Sequence, residues 1–161
     1  MYRHRRPGGR TPLAGAPRLT VLADTGAIYA LIDRSDSWHE RVVTWWASGP
    51  RRVRLPVTII PEISYLLGTR VGPEAEEAFV GALAAGEFSI EPLYDEDVVR
   101  AAELMATYRD APLGFVDASI VAQAERLGIV SILTTDRRHF SLVRPRHVSS
   151  FRLEPGGNNE Y

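Results

Sequence analysis

Short apolar segments alternate along this chain with longer stretches in which apolar positions recur every three or four residues. The short segments are rich in β-branched and aliphatic residues and predict strands at Leu19–Ala23, Val53–Val57, Phe88–Glu91, Ile129–Leu133 and near Val148–Leu153. The longer stretches predict helices over Ala27–Ile32, Ser37–Ala47, Ile59 to the Gly68–Gly72 segment, Pro73–Ala85, Tyr94–Tyr108 and Phe115–Leu127. This alternation predicts an α/β fold, with a central parallel sheet flanked by helices on both faces.

The two ends of the chain differ in composition from its middle. Residues 1–17 are rich in Arg, Gly and Pro and lack acidic residues, which predicts a disordered basic tail. The prolines and glycines there argue against the amphipathic helix of an organellar presequence. Residues 154–161 contain Pro, two Gly and two Asn, and this composition predicts a flexible tail. A single folded domain is therefore expected over residues 18–153, a usual domain length.

Charge and cysteine content narrow the possible partners and metals. The formal net charge is −1, so the chain as a whole has no strong attraction for nucleic acid or for an anionic membrane. No apolar run is long enough to cross a bilayer, and a cytoplasmic location is expected. Because the chain has no cysteine, a metal ion would need oxygen or imidazole ligands, and such ligands favour Mg²⁺ or Mn²⁺.

Two aspartates stand at the ends of predicted strands. Asp24 directly follows the first strand, and Asp136 follows the fourth strand after Thr134 and Thr135. Ligands of parallel α/β sheets bind outside the carboxyl ends of the strands. Both aspartates are therefore candidates for one functional site. Each also has an ordinary structural interpretation, since Asp commonly caps the turn or helix that follows it.

Two further acids lie on apolar faces of predicted helices. Apolar residues follow Asp117 at the i+3, i+4 and i+7 positions, and Tyr65 and Leu66 follow Glu62 at i+3 and i+4. Both side chains are therefore predicted to point inward. The structural alternative for Glu62 is a favourable charge at a helix start. For Asp117 it is an ion pair with an arginine, because all 19 basic residues are arginine.

Convergence of the four carboxylates would have a chemical consequence. Mutual repulsion would raise some of their pKa values, and a divalent cation would relieve that repulsion. Magnesium held by carboxylates commonly activates water and orients phosphate groups. The four acids thus favour phosphodiester hydrolysis.

Four segments of the chain resemble, in order, the motifs of PIN-domain nucleases, and more narrowly those of VapC-type toxins. They are LADTGAIYALIDRSDSWHE, PEISYLL, LGFVDASIVAQAERLG and ILTTDRRHF. The resemblance extends from Leu19 to about Phe151. It implies a single PIN-like domain and a metal-dependent endoribonuclease that acts as the toxin of a type II toxin–antitoxin system.

The resemblance also implies roles for particular residues. Asp24, Glu62, Asp117 and Asp136 would be the catalytic residues and would bind Mg²⁺ or Mn²⁺. Thr134 and Thr25 match hydroxyl residues that neighbour the acids in this family, and they are candidates to hold water or a phosphate. The resemblance further implies a homodimer and a separate small antitoxin chain whose tail enters the groove of the active site.

Two positions depart from the family pattern. Gly26 stands where the family usually has Ser or Asn, so a side-chain contact is expected to be missing. Gly114 stands near a position that often carries an extra acid, which argues against a wider acidic site.

Contacts with RNA are assigned to arginines near the last acid. Arg137 and Arg138 directly follow Asp136 and are candidates for phosphate contacts, with a solvated surface as the alternative interpretation. Arg144 and Arg146 are further candidates for phosphate contacts on the same side of the domain. The histidines His39 and His139 are expected not to be catalytic, because metal-activated water makes them unnecessary. The tryptophans are expected to pack in the core or at an interface.

Three alternatives differ in function. A PIN-type nuclease of RNA processing would have the same residues without a toxin role. An aspartate-based phosphatase needs a second Asp at the position of Gly26 and a Lys, neither of which is present. A non-catalytic PIN-fold binding module would bind a partner without cutting, and the presence of all four acids argues against it.

Overall fold

Five strands pair in parallel to form one sheet: β1 (Thr20–Ala23), β2 (Arg52–Pro56), β3 (Ser89–Glu91), β4 (Ser131–Leu133) and β5 (Arg152–Glu154). Their order across the sheet is β3-β2-β1-β4-β5. The computed structural model describes residues 19–49, 51–111 and 113–156. The predicted basic tail of residues 1–17 lies outside the described residues, as do the last five residues of the predicted C-terminal tail. The expectation of a parallel sheet is confirmed.

Seven helices connect the strands: α1 (Thr25–Ile32), α2 (His39–Ala47), α3 (Ile60–Arg70), α4 (Pro73–Ala84), α5 (Asp95–Thr107), α6 (Phe115–Leu127) and α7 (Arg137–Leu142). Helices α1 to α4 lie in the segments that connect β1, β2 and β3, and α5 and α6 lie in the segment that connects β3 to β4 on the other side of β1. The right-handedness of parallel crossovers places these two groups on opposite faces. Within them α1 packs on α2 and α3, α3 on α4, and α5 on α6. None of the helices among the described residues is long and apolar enough to span a bilayer.

The structure shifts one predicted strand boundary and confirms a predicted helix end. Val57 is predicted in a strand, but it begins a 3₁₀ turn directly after Pro56. Helix α3 ends at Arg70, within the predicted Gly68–Gly72 segment. The Glu76 carboxylate of α4 occupies the space that a side chain at position 68 would take, so the absence of a side chain at Gly68 allows α4 to pack closely on α3.

Two elements near the C-terminus also differ from their prediction. The last strand begins at Arg152 rather than near Val148, and it includes Glu154, a residue predicted in the tail. Helix α7 was not predicted at all. Its six residues are too few to show the helical recurrence of apolar positions on which the other predictions relied.

The centre of the sheet holds the core and positions the site. Strand β1 has a neighbour on each side, and Val21, Leu22 and Ala23 are fully buried. In register, Ala23 lies beside Leu133 of β4. The chain therefore leaves both strands at the same edge of the sheet, which brings the residues after β1 and after β4 together.

Candidate metal centre

Asp24 lies where β1 ends and α1 begins. Its Oδ1 accepts a hydrogen bond of 2.7 Å from the backbone N–H of Thr25, so it caps α1. Its Oδ2 accepts a hydrogen bond of 2.9 Å from the hydroxyl of Thr134. The side chain is almost completely buried. Burial is the main cause that raises the pKa of Asp24 from 3.8 to about 7, and the nearby Asp117 carboxylate adds to it.

Thr134 connects the acids that follow the two central strands. The residue is fully buried. Its hydroxyl donates to Asp24 and accepts a hydrogen bond of 2.9 Å from the backbone N–H of Asp136. Asp136 in turn caps α7, because its Oδ1 accepts from the backbone N–H of Arg138. Thr134 thus orients the Asp24 carboxylate and fixes the backbone of Asp136, and its contact with water or a phosphate stays a prediction.

Glu62 reaches the same cleft from the first turn of α3. The residue is exposed rather than buried, and its neighbour Tyr65 is 68% exposed, so the predicted inward orientation is wrong at this helix. The Thr25 hydroxyl donates a hydrogen bond of 2.9 Å to Glu62 Oε2. Thr25 itself is buried, and it holds Glu62 beside Asp24. Its hydroxyl donates to an acid, and the expected contact with RNA stays a prediction.

Asp117 lies in the first turn of α6, and the apolar residues that follow it on the same face are buried, as predicted. Its partner is a histidine and not an arginine. His139 Nδ1 lies 3.1 Å from Asp117 Oδ2 and 3.1 Å from Asp136 Oδ2. Burial raises the pKa of Asp117, and the adjacent His139 opposes that increase.

The four acids line one cleft at the carboxyl edge of the sheet. Within the described part of the chain, no arginine forms an ion pair with any of them. In the same residues, no three acidic or histidine side chains converge into a complete set of metal ligands. The donors nevertheless fit Mg²⁺ or Mn²⁺ in chemical type, because they are carboxylate oxygens that line one cleft and no arginine among the described residues neutralises them.

His139 also lines this cleft, although it was not expected beside the acids and was expected not to be catalytic. It lies three residues after Asp136, one turn along α7, so both side chains face the same side of that helix. The signal was present as a D-x-x-H spacing, but it has meaning only if those residues are helical. Because α7 was not predicted, the relation between the two side chains was not visible.

The arginines near the cleft divide into engaged and free side chains. Arg137 donates to the backbone oxygen of Pro155, and its guanidinium lies 5.6 Å from the ring centroid of Trp38. Arg146 pairs with Glu103. Arg138 is exposed, and among the described residues its side chain has no ion-pair or hydrogen-bond partner. Of the arginines assigned to RNA contacts, Arg138 is therefore the one best placed to meet a ligand.

Replacing the buried carboxylate of Asp24 is expected to stabilise the metal-free protein. The pKa of Asp24 lies above its unfolded value, so the folded state holds this proton more tightly than the unfolded chain. Stability is therefore fully present below about pH 4 and falls as the pH rises towards 7. Asp24→Asn cannot ionise and should avoid that loss, gaining roughly 1–3 kcal/mol at pH 8.

Urea unfolding in chelator between pH 5 and pH 8 would measure this difference. The exposed Asp95 supplies the control Asp95→Asn, which should show no such increase with pH. An Asp24→Asn protein no more stable than the parent at pH 8 would contradict the predicted cost of burial.

Known proteins match this chain in sequence and in fold. The model of the PIN domain family matches residues 21–144. A curated relative, Ribonuclease VapC26 of Mycobacterium tuberculosis, is 33% identical over 135 residues, which cover 84% of this chain and all of the relative.

Two solved structures show the same fold at lower identity. One is VapC20 of Mycobacterium tuberculosis, described as a Sarcin-Ricin loop cleaving toxin, with a TM-score of 0.65, 24% identity and coverage of 70% of this chain and 86% of that one. The other is DNA-bound VapBC from Salmonella typhimurium, with a TM-score of 0.61, 18% identity and coverage of 84% and 97%. The chain belongs to the PIN domain family and, within it, to the VapC ribonucleases.

Proposed function

We propose that this protein is a metal-dependent endoribonuclease that hydrolyses RNA phosphodiesters as the toxin of a type II toxin–antitoxin system. The observation that carries the proposal is the cleft itself. Four carboxylates from four separate parts of the chain line it without an arginine partner among the described residues. Family membership and the VapC relatives support the same activity.

Each residue of the cleft has a distinct part in this proposal. Asp24, Glu62, Asp117 and Asp136 would hold one or two Mg²⁺ or Mn²⁺ ions, which when bound supply Lewis acidity and charge neutralisation at the phosphate. The two buried threonines act through other residues: the Thr134 hydroxyl fixes Asp24, and the Thr25 hydroxyl fixes Glu62. This support keeps the carboxylates oriented before substrate arrives, which lowers the reorganisation needed during reaction.

The apolar wall of the cleft supports a protein partner. Leu66, Phe115 and Val116 line the cleft beside the acids, and Phe115 is 43% exposed. We propose that a separate small antitoxin covers this wall and blocks the acids, since a chain of a toxin–antitoxin complex from Klebsiella pneumoniae has a similar fold. We also expect a homodimer in the cytoplasm.

Removal of metal provides the test of the proposed activity. Purified protein free of antitoxin should cut total cellular RNA with Mg²⁺ or Mn²⁺ and stop cutting in chelator, and cutting should return when metal is added back. Cleavage that continues in chelator would contradict the metal-dependent mechanism. A folded protein that binds metal without cutting any RNA would favour the binding-module alternative.

Arg138 is expected to contribute to binding of the RNA backbone. Arg138→Gln should weaken binding of single-stranded RNA about 3–10-fold at low salt and reduce the slope of log K against log [salt] by about one. Fluorescence anisotropy at several salt concentrations would measure both quantities. Arg52, exposed at the start of β2 on the opposite edge of the sheet, provides the control Arg52→Gln. Equal salt slopes in Arg138→Gln and the parent would remove Arg138 from the RNA interface.

A further inference from the structure

Gly26 leaves a space in the cleft that another residue fills. It lies in the first turn of α1, two residues after Asp24, and it lines the cleft. A Cβ atom added at this position would overlap the Thr135 hydroxyl oxygen and would lie 3.6 Å from the Thr135 Cβ. A side chain at this position is therefore disfavoured by the close approach of Thr135 and not by the backbone angles, since Gly26 has no positive φ.

Thr135 presents a free hydroxyl at this point. It lies between β4 and α7, one residue before Asp136, and it lines the cleft in a half-buried position. The neighbouring hydroxyls of Thr25 and Thr134 both donate to acids. The Thr135 hydroxyl, in contrast, makes no hydrogen bond to any residue that the structure describes. A hydroxyl that lines the acidic cleft and bonds to none of the described residues is available to a ligand.

We propose that Thr135 is a substrate-binding residue whose hydroxyl donates a hydrogen bond to a phosphate oxygen of the RNA strand, and that Gly26 is small in order to admit it. This inference rests on the proposed function. A neutral donor suits this position, because it offers a hydrogen bond to phosphate without forming an ion pair with the carboxylates. The side-chain contact expected to be missing at Gly26 would thereby come from the other side of the cleft.

Removing only the hydroxyl tests this role. Thr135→Val keeps the shape of the side chain and should lower kcat/KM for RNA cleavage about 10-fold, whereas Thr135→Ser should stay within about 2-fold of the parent. Both variants should keep the parent Tm within about 2 °C, because the hydroxyl has no hydrogen-bond partner to lose among the described residues. A structural role would instead change Tm and activity together.

Filling the space at position 26 tests the same contact from the opposite side. Gly26→Ala should turn the Thr135 hydroxyl away and lower kcat/KM about 10-fold, although Ala favours the helix more than Gly does. Gly81 provides the matched control, since it lies within α4 and a Cβ there meets nothing within 4 Å. Gly81→Ala should raise Tm and leave cleavage unchanged. In Gly26→Ser/Thr135→Ala the hydroxyl changes sides, and this variant should cut faster than Thr135→Ala alone.

A binding measurement separates this proposal from the cleavage activity. Anisotropy of a labelled single-stranded 12-nucleotide RNA of random sequence would be compared between Asp117→Asn and Asp117→Asn/Thr135→Val. We expect the double variant to bind about 5–10-fold more weakly. If the parent cuts no RNA, the proposed function fails, and this comparison still decides the role of Thr135. Equal binding in the two proteins, or Thr135→Val cutting as fast as the parent, would overturn the proposal.

Discussion

Asp117→Asn is expected to abolish metal-dependent RNA cleavage and to lower kcat/KM by about 10³-fold or more. Asp117 lies in the first turn of α6, and its Oδ2 faces the cleft 3.1 Å from His139 Nδ1. The amide has almost the same shape but carries no negative charge, so it binds a hard divalent cation much more weakly. Metal ions contribute several kcal/mol to the stabilisation of a transition state, and each 1.36 kcal/mol is a factor of ten in rate.

The comparison needs a control for a general effect of losing one negative charge. Asp95 is exposed and lies at the start of α5. This part of α5 is near the C-terminal end of α6, whereas Asp117 lies in the first turn of α6. Asp95→Asn should cut like the parent. Initial rates on total RNA, together with Tm in chelator, would show whether Asp117→Asn is folded but inactive. Cleavage that survives in a folded Asp117→Asn protein would place the active site elsewhere or reveal a contaminating nuclease.

Arg126→Met is expected to destabilise the protein by roughly 3–5 kcal/mol. The Arg126 guanidinium lies between two almost fully buried carboxylates, 3.0 Å from Glu91 and 2.9 Å from Asp97. Arg54 forms a second ion pair with Glu91 at 2.6 Å, so Glu91 keeps a cation when Arg126 is replaced. Asp97 is then left without an ion pair among the described residues. Methionine keeps much of the side-chain volume but leaves a buried carboxylate without its cation, which is the costly part of breaking such a network.

Urea unfolding would measure this loss, and a second substitution separates the charge from the packing. Adding Asp97→Asn to Arg126→Met removes the unpaired charge, so part of the lost stability should return. The asparagine oxygen can still accept from the Tyr94 N–H, as Asp97 does at 3.0 Å. The exposed Arg109 offers the control Arg109→Met, which should change stability by less than about 0.5 kcal/mol. A loss below about 1 kcal/mol in Arg126→Met would mean that water, and not Arg126, compensates the two acids.

Local patterns in the sequence determined the fold class and most of the candidate site. The three buried residues of β1 were visible as part of an apolar run, and the last of them identified the edge of the sheet at which Asp24 would stand. Asp117 was placed by the apolar face of its own helix, since the spacing of apolar residues along a helix is a local property. The dual role of Asp24 and Asp136, as helix caps and as acids of the cleft, agrees with both interpretations drawn from their position.

Only the tertiary structure decided how these acids are held and what surrounds them. Thr134 supports Asp24 across 110 residues of chain, and Thr25 supports Glu62 across 37. The Thr135 hydroxyl occupies the place that a side chain at position 26 would take, and this depends on how closely α1 approaches the loop after β4. The sequence by itself thus predicted which acids line the cleft, because strand and helix periodicity act over a few residues. The hydrogen-bond partners of these acids, and the hydroxyl of Thr135 that lacks a partner among the described residues, depend on contacts between distant segments. Such contacts form only when the whole domain packs.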